Sequence, residues 1–269
     1  MTQTIFITGA STGLGRAAAK LFAAKGWKVI ATMRDPSKES ELQGIAGVTV
    51  MPLDVVNLAQ IRDTAAKALA LGPVDVVFNN AGYGLAGAFE GATDEQLQTQ
   101  LNTNLLGVMR VTQAFLPALR AQKSGTILTT TSIGGLVTFP FNSVYHATKW
   151  ALEGWSESLA YELAPFGIRV KTLAPGGIST DFAGRSLVMT PHPDYMESIG
   201  KTMKAFTDPE RRAGGSTAEK IAEEAYAAVT DTSDHVTFVA GDDARATYAQ
   251  RLAAGIDPFR KAIRERFLG

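Results

Sequence analysis

The chain has no cysteine. Disulfides, thiolate metal ligands and cysteine nucleophiles are thereby excluded, and the composition suits a reducing compartment. Histidine is scarce too: only His146, His192 and His235 occur, without ligand spacing, so no metal site is expected. Nor does one sign of charge dominate. The 26 basic and 26 acidic residues cancel, which removes the basic footprint of a nucleic-acid binder. No apolar run reaches membrane-spanning length, and Met1 leads almost directly into an apolar strand, without the charged and long apolar regions of a signal peptide. The expectation is a cytoplasmic protein with no nucleic-acid and no membrane partner.

What is present is a chain of 269 residues, 45% hydrophobic, with room for one large α/β domain or two small ones. Short β-branched runs recur at 5–8, 29–33, 48–51, 74–78, 126–131, 169–173 and 235–239. Alanine-rich amphipathic stretches lie between them, at 14–25, 58–71, 103–120 and 144–163. Parallel strands need long crossovers, so this alternation predicts an α/β fold: a Rossmann-type, doubly wound, mainly parallel seven-stranded sheet with helices on both faces. Without a long linker or a repeat, residues 1–269 are expected to form a single domain. The strand ends read ITGAS, MRDP, PLDV, FNNAG, TTSIGG, LAPGG and VAGDD. Strand-to-helix turns are generally rich in Gly, Asn and Asp, but so consistent a set along one sheet edge points to a ligand crevice.

Gly9-Ala10-Ser11-Thr12-Gly13 spells G-x-S-x-G, the pattern of a hydrolase nucleophile elbow. An elbow needs an oxyanion loop from an earlier strand, and only ten residues precede Ser11. With Gly15 the same glycines form G-x-x-x-G-x-G between a strand and a helix, which suits the phosphates of a dinucleotide. Gly9 lets the chain turn sharply off the strand, Gly13 lets backbone approach a pyrophosphate, and Gly15 lets the helix pack close to the sheet. The helix start offers free N–H groups and a positive dipole end, with the Ser11 and Thr12 hydroxyls as further donors. Arg34 follows the second strand, where a guanidinium can pair with a 2′-phosphate, which favours NADP. Asp35 comes next and can instead bond a ribose hydroxyl, which would favour NAD.

Of six tyrosines only Tyr145 has a lysine four residues on, Lys149. The surrounding segment reads as a long helix capped at Asn142 or Ser143, and positions i and i+4 share a face, so both groups can address one ligand. Ser132 ends the preceding strand. These residues complete a pattern. T-G-x-x-x-G-x-G at 8–15, N-N-A-G at 79–82, Asn104, Ser132, Y-x-x-x-K at 145–149 and P-G at 175–176 together resemble the short-chain dehydrogenase/reductase family, over roughly the first 180 residues.

The resemblance implies a carbonyl–alcohol oxidoreductase, with NADP preferred and NAD the alternative. Tyr145 would be the general acid for reduction, or the base in reverse. Free tyrosine titrates near ~10, and lowering it by about three units takes on the order of 4 kcal/mol, which Lys149 and an oxidised nicotinamide would supply. Lys149 would also hold the nicotinamide ribose, Ser132 the substrate oxygen, and Asn104, rather than Asn102, a water relaying protons to Lys149. Leu14 would join the glycine loop in cofactor contact. Asp54 and Val55 would meet the adenine; Asn80, Ala81 and Gly82 would line the cofactor floor; Pro175, Gly176, Ile178 and Thr180 would close over the nicotinamide. His146 and Trp150, flanking the catalytic face, read as packing residues.

A substrate lid is expected over about 182–214. Asp194 to Glu197 resembles a capping box, and Tyr195, Ile199, Met203 and Phe206 repeat at helical spacing. Phe139, Phe141, Phe182 and Met189 would add to a pocket for a hydrophobic ketone, aldehyde or alcohol. An extra helical tail covers about 242–269, where Asp257 reads as a cap followed by Pro258 in the first helical position, opening a helix with Phe259, Ile263 and Phe267 on one side. The expected assembly is a homodimer or homotetramer. The rival from another class is a dinucleotide-binding sensor without turnover. The complete set of Ser132, Tyr145 and Lys149 counts against it, because a sensor needs no proton donor there.

Overall fold

The computed structural model describes residues 2–178, 186–208 and 214–269. Strand β1 (Thr4–Ile7) leads into helix α1 (Gly13–Ala24), then come β2 (Lys28–Met33), β3 (Val48–Pro52) and α2 (Leu58–Ala70). The middle of the chain contains β4 (Val76–Asn79), β5 (Gly84–Gly87), α3 (Asp94–Leu101), a π-helical turn (Asn102–Leu106), α4 (Gly107–Gln122), β6 (Gly125–Thr130) and α5 (Ser143–Leu163). It ends with β7 (Ile168–Pro175), β8 (Leu187–Thr190), α6 (Met196–Thr207), α7 (Ala218–Thr230), β9 (Thr237–Ala240), α8 (Asp242–Ala254) and α9 (Ile256–Leu268).

Seven strands form one sheet in the order β3-β2-β1-β4-β6-β7-β9, and every pairing is parallel. The chain starts at β1, winds outward to β3, then returns to β4 on the other side of β1. That reversal is the switch point whose strand ends open a crevice. Strand side chains alternate between two cores. Ile5, Ile7, Val29 and Ala31 pack with Ala18 and Phe22 of α1 and Ile221 of α7. Phe6, Ile30 and Ile127 face the other way, against Ile61, Phe115 and Leu159 of α2, α4 and α5. Each fully buried large side chain stabilises by roughly 1.5–3 kcal/mol, so both faces hold the sheet rigid beneath its loops.

All seven expected strands are present, and four features differ from the sequence reading. Strands β5 and β8 pair in a second, two-stranded parallel sheet; Gly-Leu-Ala-Gly lacks β-branched residues, so long-range pairing rather than propensity makes it a strand. Helix α3 is strongly polar but begins with a complete capping box between Thr93 and Gln96. The capping box expected at Asp194 does not form. Asp194 lies in the short turn Pro193–Tyr195, where His192 Nδ1 accepts its N–H at 3.4 Å, and α6 starts at Met196. Asp257 is likewise not a cap: Gly255, at φ 78°, breaks the chain between α8 and α9, so Asp257 and Pro258 fall inside the first turn of α9. Among the described residues no helix is long and apolar enough to cross a membrane.

Candidate active site

The glycine loop sits between the ends of β1 and β4. Gly9 has φ +69° and a Cβ there would run into Ala81; Gly13 has φ +52°; a Cβ at Gly15 would run into the Gly9 carbonyl and the Asn80 side chain. The loop is tied to β4 by Thr8, whose hydroxyl accepts the N–H groups of Asn80 (2.9 Å) and Ala81 (3.0 Å). Asn80 turns inward and donates to the carbonyls of Thr8 (3.1 Å) and Gly9 (3.2 Å), so it supports the loop from behind. At the mouth of α1, Thr12 is extended, its side chain caps nothing, and the first turn holds no acid. A helix start in this state leaves N–H donors and a partial positive charge for an anion. Leu14 is buried and half-buried Ser11 and exposed Thr12 stand at the rim. The cradle fits a dinucleotide pyrophosphate.

Beyond β2, Arg34 is exposed and no carboxylate pairs with it among the described residues. Asp35 is engaged: Oδ1 accepts from Ser37 N–H (3.2 Å) and Ser37 Oγ (2.6 Å), and Oδ2 pairs with Lys38 Nζ at 3.1 Å. The Ser37 and Lys38 contacts hold its carboxyl below the usual range. Asp54 accepts Val56 N–H at 3.1 Å, with Val55 buried beside it.

The crevice continues to the ends of β6 and β7. Ser132 Oγ accepts Gly134 N–H at 3.0 Å, which leaves its own hydrogen to donate. It is close enough to Tyr145 to favour the phenolate, yet burial dominates and raises the phenol above its ordinary value. The expected lowering by Lys149 is thus absent in the protein alone. Lys149 Nζ lies 5.7 Å from the Tyr145 ring centre and donates to Thr130 O at 2.8 Å. Burial pushes Lys149 down to about 8, opposed by Glu153. Glu153 lies one helical turn on; its Oε2 accepts from Thr172 (2.9 Å) and Thr237 (3.2 Å), and burial raises its carboxyl.

Asn104 is fully buried within the π-helical turn, a local widening common at functional sites. It clamps Tyr83 by both backbone groups: Oδ1 accepts Tyr83 N–H (3.0 Å) and Nδ2 donates to Tyr83 O (2.8 Å). Gly82 lies between it and Lys149; a Cβ there would sit 3.2 Å from Asn104 Oδ1 and 3.8 Å from Lys149 Nζ. His146 is buried and neutral in role, accepting Phe139 N–H (3.0 Å) at Nε2 and meeting Gly134 O at Nδ1 (2.6 Å). Trp150, by contrast, is exposed beneath the Arg251 guanidinium, 5.8 Å from its ring centre.

Over this edge lie α6 and α9. Phe139, Phe206 and Phe267 form an aromatic trio with centroids 5.1 to 5.7 Å apart, so the tail packs on the expected lid helix. Tyr195 leaves that face and donates to Glu90 at 3.0 Å, with the Phe141 ring against it. Met189 is half-buried on β8. Pro175 ends β7, and Gly176 and Ile178 follow in the turn beyond it, Ile178 bridging to Ser216. Thr180 and Phe182 lie outside the described residues, as does part of the expected lid. Sequence reasoning missed Glu153 and Asp243, which accepts Gly177 N–H at 2.7 Å. The i+4 spacing from Lys149 was the available signal for Glu153; Asp243 left none.

The short chain dehydrogenase family model matches residues 3–188. A 3-ketodihydrosphingosine reductase of Bacteroides thetaiotaomicron is 37% identical over 213 residues, covering 78% of this chain and 77% of that protein. The crystal structure of a short-chain dehydrogenase from Streptomyces avermitilis matches at TM-score 0.85 and 33% identity, over 98% of this chain and 96% of the other. A short chain dehydrogenase/reductase from Burkholderia phymatum in complex with NAD matches at TM-score 0.81 and 25% identity, over 94% and 93%. The crevice, its glycine cradle and the Ser132–Tyr145–Lys149 cluster therefore have an owner: the chain belongs to the short-chain dehydrogenase/reductase family, oxidoreductases that use NAD or NADP.

Proposed function

We propose that the protein is an NADPH-dependent reductase of a hydrophobic ketone or aldehyde. The observation that carries the reading is the cluster itself: Tyr145 stands in hydrogen-bond contact with Ser132, with Lys149 Nζ 5.7 Å from its ring centre, and a phenol at neutral pH carries the proton an acid catalyst needs. When bound, the cofactor supplies hydride to the carbonyl carbon. Tyr145 gives its proton to the carbonyl oxygen, and Ser132 holds that oxygen with the hydrogen it does not use on Gly134. Lys149 orients the nicotinamide ribose and, as a cation, favours the phenolate left after transfer. Asn104 fixes the Tyr83 backbone beside Lys149 and anchors the proton relay.

NADP is preferred because Arg34 is unpaired among the described residues while Asp35 is committed to Ser37 and Lys38. A free guanidinium suits a 2′-phosphate, and a committed carboxylate is a poor ribose partner. Gly9, Gly13 and Gly15 admit the pyrophosphate, with Asp54 and Val55 at the adenine and Pro175, Gly176 and Ile178 at the nicotinamide. For the substrate, the relative named as a ketone reductase and the half-buried Phe139 and Met189 support an apolar carbonyl compound. Exposed Trp150 and Tyr161 on one helix are a surface that a homodimer or homotetramer would cover.

The test is a screen of long-chain and cyclic ketones, following NADPH absorbance with wild type and Tyr145→Phe. Turnover of an apolar ketone by wild type alone supports the proposal. Equal rates in both proteins contradict it.

A further inference from the structure

Two acids open helix α8, and they are used differently. Asp242 faces outward and pairs with Lys220 and Arg245, both at 2.8 Å. One such acid is enough to complement a helix start. Asp243 instead turns inward over the end of β7. Its Oδ2 accepts Gly177 N–H at 2.7 Å, and its Oδ1 is buried without a hydrogen-bond partner among the described residues. A Cβ at Gly176 would run into this carboxylate, and one at Gly241 (φ +92°) would come within 2.9 Å of Oδ1. Two glycines, 65 residues apart in the chain, thus make room for one side chain.

The turn it touches is held on every side. Gly176 N–H donates to Ala240 O (3.1 Å), and Ser216 N–H donates to Gly177 O (2.8 Å). Asp243 takes Gly177 N–H, and among the described residues it is the one side chain that bonds this turn. A charge-assisted hydrogen bond is roughly twice as strong as a neutral one, so this contact sets where the turn sits.

We propose that Asp243 is a positioning residue that fixes the turn from Pro175 to Ile178 against the nicotinamide end of the cofactor, so that the C-terminal helices hold the reactive half of the site. This rests on the dinucleotide reading above. It goes beyond it by assigning a role to a residue outside the span matched by the family model.

The test compares two ligands by calorimetry: NADPH, and 2′,5′-ADP, which carries the adenosine half without nicotinamide. Asp243→Ala should weaken NADPH by roughly tenfold or more and leave 2′,5′-ADP unchanged. Asp243→Asn, which keeps an oxygen able to accept Gly177 N–H, should recover most of that loss. Gly176→Ala should weaken NADPH in the wild-type background and change little when added to Asp243→Ala, because the clashing carboxylate is then gone. Equal weakening of both ligands would show general loosening and overturn the assignment, as would unchanged NADPH binding in Asp243→Ala. Wild-type protein that binds neither of these, nor NADH, would overturn the dinucleotide reading as well, which separates the two failures.

Discussion

Two buried lysines, on neighbouring elements, show how the two edges of the sheet differ. Lys171 on β7 is 1% exposed and meets three acceptors: Asp231 Oδ1 (2.7 Å), Ser233 O (2.8 Å) and His235 O (2.8 Å). An ammonium has three donors, so this one is saturated. Lys149 on α5 is 6% exposed and meets one protein acceptor among the described residues, Thr130 O. Saturation marks structure, and unspent hydrogen-bonding capacity marks a site. The same contrast runs along both edges. Thr4 N–H is met by Asp75 and Val74 O by Gln122 at the amino end of the strands, whereas among the described residues the carboxyl end keeps an uncapped helix start, an unpaired arginine and a protonated phenol.

That contrast can be broken from either side. The largest effect belongs to Tyr145→Phe, which should lower turnover by about 10²–10⁴-fold while NADPH affinity, read by titration, hardly moves. Comparable turnover would mean that the proton comes from elsewhere. Next is Lys171→Met, which strands Asp231 and two carbonyls. It should lower the urea midpoint without altering cofactor affinity. A variant that stays stable but loses NADPH would reverse the roles of the two edges.

Arg34→Ala should weaken NADPH by roughly 10- to 100-fold and leave NADH unaffected. If both weaken equally, Arg34 does not read the 2′-phosphate. A further expected effect concerns pH. Burial pushes Lys149 down to about 8, below its ordinary value of ~10.4 when unfolded. Between those values the unfolded chain binds the extra proton, so stability from this residue rises with pH, by at most about 1.4 kcal/mol per unit. Lys149→Met should remove that rise. Asp231 has the opposite sign: held at about 2 by Lys171 and Ser233, it contributes stability above the unfolded carboxylate value near ~4 that is lost as pH falls through about 2.

Legibility in the sequence followed the range of the interaction. Gly9 and Gly15 answer to steric demands set within a few residues or by the adjoining strand end, and Tyr145 and Lys149 share a face by helical period alone, so all four were readable. The Asp35 side chain was readable in principle, since Asp-Pro-Ser-Lys is a turn in which the acid bonds two residues on; its two possible roles simply competed. Strand β5 was not readable, because it exists through Leu187 and its neighbours about a hundred residues later. Asp243 meets Gly177 across 66 residues. Only the finished sheet, with β9 laid beside β7, brings them together. The lid and tail helices showed their apolar periods, but their starts were set by Gly255 and by a turn at Pro193, not by the acids that looked like caps.

The most direct measurement is a fluorescence titration of the purified protein with NADPH and, separately, NADH. Saturable binding of both, clearly tighter for NADPH and with that preference lost in Arg34→Ala, is the expected result. Binding of neither would contradict the assignment of the open edge as a dinucleotide site, whatever the sheet behind it looks like.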